Sequence, residues 1–396
     1  MNNRREFLKY CGLLSAPLLL PATGIAGPKM TIGENEKKSD SAPMMNFITD
    51  GYFFPPDQYI EKLAEINSNS KIEPDLYGQG GPTEKLEIEF AKITGKEKAI
   101  YVPSGTMANQ LAMKLLNGNK TKVIVPENSH IFRDEADAAQ SVHELRLIAL
   151  GKGKDNYDLN DLKSSIEYAN KGFYYDSGLG TVVIENPVRR VQNRFVPIET
   201  IKEVTTFCRE NGYKTHLDGS RLHIAAAFSG VTVKEYSSYF DTVYISLYKY
   251  LNAGGGAILC GEAEIIDQMA HQIKILGGSI LRNWATTAMA LYYLNGVEYR
   301  WQEVVEKTKQ LIPELNKIEG VNISALNNGT NSYKMELSKS IDTKQLSQFL
   351  YDENISWGAR KTDDGGYFFV VNDTMLDYDN SQIIKAWKKS INEAKS

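Results

Sequence analysis

The sequence is poor in the features that mark several large classes of protein. It has 3 cysteines and 5 histidines in 396 residues, too few for a disulfide framework and without the pattern of a metal site. Its net charge of −4 lacks the basic excess that nucleic-acid binding needs. After residue 26 it has no apolar run long enough to cross a bilayer. These absences leave an ordinary globular protein, in agreement with its 42% hydrophobic and 24% charged residues.

The first residues have the pattern of an export signal. Arg4 and Arg5 precede an apolar run from Cys11 to Leu20, and small residues follow at the spacing of a signal-peptidase site. We therefore predict a twin-arginine signal peptide over residues 1–26, a flexible lead-in over 27–45, and export to the periplasm. The apolar run is too short to span a bilayer, so an uncleaved membrane anchor is the weaker alternative.

Short β-type runs alternate with amphipathic helical stretches over most of the chain. Such alternation predicts an α/β fold, with a mostly parallel sheet covered on both faces and ligand sites at the carboxyl ends of its strands. We assign residues 46–300 to this large domain and residues 301–396 to a small α+β domain. The seven strands predicted for the large domain are 99–102, 122–125, 146–150, 181–185, 214–217, 242–247 and 257–260.

A single lysine stands just after one of these strands. Lys249 follows the apolar run from Val243 to Leu247 and precedes a glycine-rich turn from Gly254 to Gly256. Apolar surroundings disfavour the charged ammonium, so the neutral amine becomes more available as a nucleophile. Such a lysine suits Schiff-base formation with a carbonyl cofactor. On this stretch alone, a lysine that merely closes a strand end is an equal alternative.

Two further motifs follow predicted strands. Ser104, Gly105 and Thr106 stand between a strand and a helix, where a glycine, a hydroxyl and free backbone N–H groups can hold a phosphate. His130 lies after the next strand, and a flat imidazole there can stack on an aromatic ring and exchange protons near neutral pH. Each motif also has a plainer interpretation, a helix cap in the first case and a structural histidine in the second.

The fourth motif supplies an acid. Asp218 ends a strand and is followed by glycine, so its carboxylate is expected to point into the site. A carboxylate there can keep a pyridine nitrogen protonated, which makes the ring an electron sink. Arg221 can bind an oxyanion or a carboxylate. A nucleophilic lysine, an acid, a phosphate-binding turn and a stacking histidine are together what pyridoxal 5'-phosphate (PLP) needs, and we predict PLP as the cofactor.

These motifs resemble those of a known family. The stretches Tyr101–Asn109, Ser129–Glu135, Leu217–Leu222 and Ser246–Lys249 are similar to motifs of the threonine aldolase group in the aromatic amino acid β-eliminating lyase family, which are fold-type-I PLP enzymes. The resemblance runs from about Asn46 to the end of the large domain. It implies a PLP-dependent transferase-like fold with a seven-stranded sheet, and cleavage of a β-hydroxy amino acid to glycine and an aldehyde.

The resemblance also implies roles for single residues and an oligomer, either a homodimer or a homotetramer. Lys249 would form the Schiff base, Asp218 would pair with the ring nitrogen, and His130 would stack on the ring. Arg221 would lie near the phenolic oxygen of the cofactor. The residues expected at the cofactor are Ser104, Gly105, Thr106, His130, Asp218, Arg221, Ser246 and Lys249. Those expected to meet the substrate or a partner subunit are Thr49, Tyr77, Arg189, Arg282 and Arg360.

Two departures from the family pattern bear on the substrate. Val188 stands where the family has a second active-site histidine, and Arg189 follows it. The late strand that usually begins with a carboxylate-binding arginine begins with Tyr367, so Arg189 or Arg360 is expected to take that role. Several functions therefore remain open beside the aldolase: a β-eliminating lyase, a racemase, or a non-catalytic periplasmic protein that binds a cofactor or an amine.

Overall fold

The structure is a computed structural model that describes residues 43–171 and 178–395. The predicted signal peptide and residues 27–42 of the predicted lead-in lie outside the described residues. None of the helices within the two described ranges is both long enough and apolar enough to cross a membrane.

The described residues form twelve strands and fourteen α-helices, numbered here in chain order. The strands are β1 Met45–Asn46, β2 Lys98–Val102, β3 Lys122–Pro126, β4 Arg146–Leu150, β5 Leu179–Glu185, β6 Lys214–Asp218, β7 Thr242–Ser246, β8 Ala257–Gly261, β9 Val321–Ala325, β10 Ser332–Leu337, β11 Ile355–Ser356 and β12 Tyr367–Val370. The helices are α1 Pro56–Asn69, α2 Gly81–Thr94, α3 Gly105–Asn117, α4 His130–Arg133, α5 Ala138–His143, α6 Leu159–Asn170, α7 Ile198–Glu210, α8 Leu222–Ser229, α9 Val233–Ser238, α10 Ala263–Ile275, α11 Trp284–Leu294, α12 Val297–Leu315, α13 Thr343–Asp352 and α14 Asn380–Glu393.

Seven strands form one sheet in the order β2-β8-β7-β6-β5-β3-β4. All seven predicted strands are found, with ends that differ from the prediction by at most two residues. Strands β4, β3, β5, β6 and β7 are parallel to one another, whereas β8 is antiparallel to both β7 and β2. The reversal at β8 arises because the chain returns from β7 through a loop and not through a crossover helix.

Helices cover the sheet and bury its apolar strands. Strand β7 is buried along its whole length, as expected for a strand with helices on both faces. Helix α3 packs across β5, β6, β7 and β8 and buries Leu111 and Ala112 completely. Asn109 lies on the same helix and is also fully buried, which brings a polar side chain to the sheet near the end of β6.

The C-terminal part has its own antiparallel sheet, in the order β12-β10-β9, as the prediction of a small α+β unit leads one to expect. Strand β1 pairs in parallel with β11, and Met45 is 1% exposed, so the predicted lead-in ends before Met45. Helix α12 packs against both α8 and α14, and the predicted domain boundary near residue 300 falls inside it. The assignment of 46–300 and 301–396 to separate domains stays a prediction.

Candidate active site

The carboxyl ends of six strands, β2 to β7, lie at one edge of the large sheet. Because β8 is antiparallel to both β2 and β7, strand β2 runs in the same direction as β7. The segments after β2, β3, β5, β6 and β7 therefore leave the sheet at a common edge, where α/β sheets bind ligands. The predicted residues on these segments are Ser104 to Thr106 after β2, His130 after β3, Asp218 at the end of β6, Ser246 at the end of β7 and Lys249 three residues later.

Asp218 is an ionisable group held inside the protein. It is 1% exposed, and its carboxylate accepts hydrogen bonds from Asn109 Nδ2 at 3.0 Å and from the Ser220 backbone N–H at 3.2 Å. Glu185 is its register partner at the end of β5. Burial and the negative charge of Asp218 raise the pKa of Glu185. Two buried acids thus stand side by side at the ligand-binding edge, and cations and N–H groups must balance them.

Lys249 faces these acids. Burial and the positive charge of Arg221 together lower its pKa to about 7, although the negative charges of Asp218, Asp50 and Glu185 oppose the shift. Its Nζ lies 5.5 Å from the centroid of the Tyr248 ring. A lysine with this pKa is largely a neutral amine just above neutral pH, which is the form that attacks carbonyl carbon. The interpretation of Lys249 as a plain strand-end lysine does not account for these surroundings.

Arg221 is buried in an ion pair with Asp50. Its Nε donates to Asp50 Oδ2 at 2.7 Å, and Asn331 Nδ2 donates to Asp50 Oδ1 at 3.2 Å. Burial raises the pKa of Asp50, but Arg221 and Asn331 outweigh it and the net shift is downward. Arg221 Nη1 is buried and has no hydrogen-bond partner in the described part of the chain. An unused, buried guanidinium donor is rare, and it leaves this arginine able to bind an oxyanion.

His130 is fixed by two buried glutamates. Its Nδ1 lies 2.9 Å from Glu135 Oε1, and its backbone N–H donates to Glu185 Oε2. Burial lowers the pKa of His130, but the hydrogen bond to Glu135 and the charges of Asp218 and Glu185 raise it more, so the net shift is upward. The imidazole is one-third exposed. It is therefore held rigidly and remains accessible from the site.

The turn after β2 presents a helix N-terminus. Ser104 Oγ accepts a hydrogen bond from the Met107 N–H, so the serine caps α3. The N–H groups of Gly105 and Thr106 belong to the first helical turn, which has no intrahelical acceptor for them. A Cβ on Gly105 would overlap the phenol of Tyr244, so packing inside the sheet accounts for this glycine. Both interpretations of the motif therefore hold: it is a cap, and its free N–H groups suit a phosphate.

The remaining predicted residues fall into two groups. Thr49 precedes Asp50, but its hydroxyl lies 2.8 Å from both Asn46 Oδ1 and the Gly51 carbonyl oxygen and is used within its own loop. Tyr77 and Arg282 lie together elsewhere: the Tyr77 N–H donates to the Leu281 carbonyl, and Arg282 donates to the Asp75 carbonyl. In the described part of the chain, no hydrogen bond, ion pair or ring contact joins Tyr77 or Arg282 to the residues around Lys249.

The two arginines predicted to bind the substrate carboxylate differ in their partners. Arg189 is bound to Asp134, with 3.3 Å between Nη1 and Oδ2. Arg360 lies over the Phe368 ring, 4.2 Å from its centroid, and no acidic side chain of the described residues pairs with it. Partial burial and the charges of Arg189 and Arg221 lower the pKa of Arg360. Arg360 is thus the arginine near the site that is left free for a carboxylate.

Several residues of the site were not assigned a role from the sequence. Asn109 donates from Nδ2 to both Asp218 and Glu135, while its Oδ1 accepts from His216 Nε2 at 3.0 Å. Asp50 neutralises Arg221 from a segment 171 residues away. Asn109 and Glu135 lie within stretches that resemble the family, so that resemblance was a signal for them. Asp50 had no local signal, because its partner is distant in sequence.

The residues at the edge of the sheet fit PLP. Lys249 offers a reactive amine and Asp218 a buried carboxylate, while the free Nη1 of Arg221 and the N–H groups that begin α3 offer donors for anionic oxygens. Ser246 is fully buried at the end of β7. The roles that the resemblance assigns to these residues stay predictions, and their placement is compatible with all of them.

The fold is that of the fold-type-I class of PLP enzymes, as predicted. A candidate L-allo-threonine aldolase from Listeria monocytogenes superposes with a TM-score of 0.72 at 24% identity, over 87% of this chain and 96% of that one. The sequence model of the β-eliminating lyase family matches residues 47–337, and the chain belongs to this family. The family predicted from the motifs is confirmed.

Curated relatives from fungi are similar over part of the chain. The low-specificity L-threonine aldolase of Candida albicans is 29% identical over 265 residues, which are 66% of this chain and 66% of that protein. The corresponding protein of Saccharomyces cerevisiae is 28% identical over 236 residues, 59% of this chain and 60% of that protein. In both cases the chain matches slightly less than two thirds of the relative's length.

Proposed function

We propose that this protein is a PLP-dependent carbon–carbon lyase of the threonine aldolase type, which cleaves a β-hydroxy amino acid to glycine and an aldehyde. The observation that carries the proposal is the placement of Lys249, with its pKa lowered to about 7, beside Asp218 and Arg221 at the ligand-binding edge of the sheet. The activity named for the two fungal relatives supports it.

Each site residue then has a chemical task. When bound, PLP supplies a carbonyl for the amine and a protonated ring that withdraws electrons from Cα. Lys249 provides the amine in neutral form near pH 7. Asp218, buried and oriented by Asn109, stabilises a proton on the ring nitrogen. Arg221, itself neutralised by Asp50, donates to an anionic oxygen, and His130 is placed to accept the β-hydroxyl proton.

The visible absorption spectrum of the PLP-loaded protein tests this function. We expect a band that shifts when glycine, threonine or phenylserine is added, and an aldehyde together with glycine as products of the β-hydroxy amino acids. A keto acid with ammonia would instead indicate a β-eliminating lyase, and an enantiomer a racemase. A band that ignores every amino acid would indicate a protein that binds the cofactor without turnover, and would overturn the proposal.

Arg360 is proposed to bind the substrate carboxylate, because it lies near the site without an acidic partner. Replacing it with alanine should raise the KM for the amino acid by roughly 10- to 100-fold, since a charged hydrogen bond contributes about 1.5–3 kcal/mol. The kcat should change little, because the guanidinium binds a group that does not react. Steady-state kinetics with threonine or phenylserine measure both constants.

Two comparisons make the Arg360 result specific. The amino alcohol that lacks the carboxylate should bind equally to the wild type and to Arg360→Ala. Arg209 is an exposed arginine at the end of α7, at the opposite edge of the sheet, and Arg209→Ala should leave the KM unchanged. An unchanged KM in Arg360→Ala would mean that another cation binds the substrate carboxylate. Arg189→Ala would then be measured in the same way.

A homodimer or homotetramer is also proposed. Large apolar side chains are exposed in the region where Tyr77 and Arg282 lie together, which suggests a surface that another copy covers. Its members are Leu76, 50% exposed, Tyr77, 57%, Ile280, 44%, and Leu281, 50%. Light scattering of the purified protein tests this, and a monomer at micromolar concentration would contradict it.

Export through the twin-arginine route is proposed for the N-terminal segment, on the pattern of Arg4, Arg5 and the apolar run after them. Fractionation of cells that express the full chain, with Arg4 and Arg5 both changed to lysine as the control, distinguishes export from retention. Equal amounts of both proteins in the periplasm would contradict a twin-arginine signal.

A further inference from the structure

A continuous chain of hydrogen bonds runs from the middle of the sheet to His130. Thr242 on β7 lies 2.8 Å from His216 Nδ1, and His216 Nε2 lies 3.0 Å from Asn109 Oδ1. Burial lowers the pKa of His216 to about 4, so this imidazole is neutral and carries one proton. The amide N–H groups of Asn109 face two carboxylates, so its Oδ1 is the acceptor and the proton of His216 resides on Nε2.

The orientation of Asn109 determines what Glu135 can do. With its oxygen turned to His216, the Asn109 amide donates to Glu135 Oε1 at 2.8 Å and to Asp218 Oδ2 at 3.0 Å. Glu135 is 5% exposed, and its Oε1 also lies 2.9 Å from His130 Nδ1. Asn109 Nδ2 and His130 Nδ1 therefore converge on one buried carboxylate oxygen. This geometry favours a proton on His130 Nδ1, because a carboxylate accepts and does not donate.

The other ring nitrogen of His130 has no such partner. In the described part of the chain, no hydrogen bond is made by Nε2, and the imidazole is one-third exposed. We infer that Glu135 is a positioning residue for the reaction: it keeps the proton of the neutral imidazole on Nδ1, so that Nε2 of His130 is the atom that exchanges a proton with the substrate. This inference rests on the proposed function.

The proton that His130 takes from the substrate in this step is returned to the substrate. The β-hydroxyl proton passes to His130 Nε2, and the electron pair of the O–H bond becomes the second bond of the aldehyde carbonyl. The Cα–Cβ bond breaks, and its electron pair stays with Cα. The proton on Nε2 then returns to Cα, which yields glycine, so no oxidant, reductant or further reactant is consumed. While His130 carries both protons, the Glu135 carboxylate stabilises its charge.

The carboxylates around His130 act on its charge in the same direction. Glu135 contacts the ring, while Asp218 from β6 and Glu185 from β5 raise the pKa of His130 through their charges. Asp134, the residue before Glu135, also interacts with His130 but is paired with Arg189 and Arg190. Glu135 is the member of this set that touches the imidazole, so its removal should have the largest effect on the ring.

The test replaces Glu135 with glutamine in the PLP-loaded protein. Without the carboxylate, the pKa of His130 should fall by about one unit or more, measured from its imidazole C–H signals by NMR. The pKa values of His216 and His223 are lowered to about 4 and about 3, so neither histidine titrates near neutral pH together with His130. The acid limb of the kcat/KM profile should move to lower pH with the NMR value, and kcat should fall by roughly 10- to 100-fold with little change in KM.

Two further variants distinguish a positioning role of Glu135 from a general effect on the stability of the protein. Burial raises the pKa of Glu135, and it also raises the pKa of Glu87, a mostly buried glutamate that accepts a hydrogen bond from the Tyr101 N–H away from the site. Glu87→Gln should leave both the His130 titration and the pH profile unchanged. Glu135→Asp keeps the charge but shortens the side chain, so it should restore part of the shift. It also provides the measurement if Glu135→Gln does not fold.

The outcomes distinguish the inference from the function on which it rests. An active wild type whose His130 titration is the same in Glu135→Gln and Glu135→Asp would overturn the inference alone. Equal losses of activity in Glu135→Gln and Glu87→Gln, without a change in the pH profile, would also overturn it. A wild type that cleaves no β-hydroxy amino acid would overturn the proposed function, and the inference with it.

Discussion

Replacing Lys249 with alanine is expected to abolish turnover while the protein stays folded. The variant removes the amine that binds the cofactor covalently, so activity should fall by at least ~10³-fold. Folding should persist, because burying a lysine with a pKa lowered to about 7 costs free energy that alanine does not. Activity, circular dichroism and the visible spectrum of the variant check these expectations. Full activity in a folded Lys249→Ala protein would contradict the site.

A second lysine with a lowered pKa provides the control. Burial also lowers the pKa of Lys96, but this residue precedes β2 at the opposite edge of the sheet and donates to the Phe240 carbonyl. Borohydride reduction of the PLP-loaded protein should attach the cofactor to Lys249 and leave Lys96 free, as peptide mapping would show. Labelling of both lysines would mean that a low pKa alone, without the surrounding site, explains the reactivity.

The reaction of Lys249 should also have a distinct pH dependence. A lysine of ordinary pKa near 10.4 becomes steadily more reactive up to that pH. Since the pKa of Lys249 is lowered to about 7, its neutral fraction rises between about pH 6 and 8 and is nearly complete above that range. The rate of cofactor attachment to the apoprotein should therefore level off near pH 8, and a continued rise to pH 10 would contradict the lowered pKa.

Replacing Asp218 with asparagine is expected to have the second largest effect. The change keeps the size of the side chain and an oxygen that can accept from the Ser220 N–H. It removes the negative charge that would hold a proton on the cofactor ring. We expect kcat to fall by roughly 10²- to 10⁴-fold, the range found for loss of a positioned acid or base. The cofactor band should shift as well, because the ring nitrogen loses its proton.

Asp373 offers a matched control for this variant. It is also 1% exposed, and burial raises its pKa to about 7. It lies in the 3-10 helix Asp373–Asp377 and faces Arg300, away from the edge of the sheet that carries Lys249. Asp373→Asn should leave kcat and the spectrum unchanged. If both aspartate variants lose activity alike, the loss would come from disturbed packing and not from the missing charge.

Local sequence patterns were enough to predict most of the secondary structure. The strands of the large sheet were predictable because parallel strands are buried on both faces and appear as short runs rich in valine and isoleucine. The amphipathic pattern of residues 198–210 likewise predicts a helix, and α7 occupies the same residues. The pattern from Trp284 to Leu315 is helical throughout, but the region forms two helices, α11 and α12, which are separated at Gly296 with a φ of 70°. A glycine readily adopts the left-handed region, so it ends α11 and lets the chain turn before α12 begins.

The groups proposed for catalysis were easier to predict from the sequence than the residues that pair with them. Lys249, Asp218 and His130 each follow a strand, and strand ends meet at one edge of an α/β sheet, so position along the chain indicates position in space. The partner of Arg221 could not be found in this way. Asp50 lies 171 residues earlier, and nothing in its own neighbourhood marks it as the counterion.

By itself, the sequence determined the class of fold and the family, and it predicted the groups that are proposed to carry the chemistry, because these depend on local periodicity and on motifs within one segment. The tertiary structure alone decided the charges and contacts of those groups. The pKa of Lys249, the orientation of Asn109 between two carboxylates and the free guanidinium of Arg360 depend on burial and on neighbours from distant segments. Electrostatic and hydrogen-bonding energies depend on distance in space, which a linear sequence does not contain.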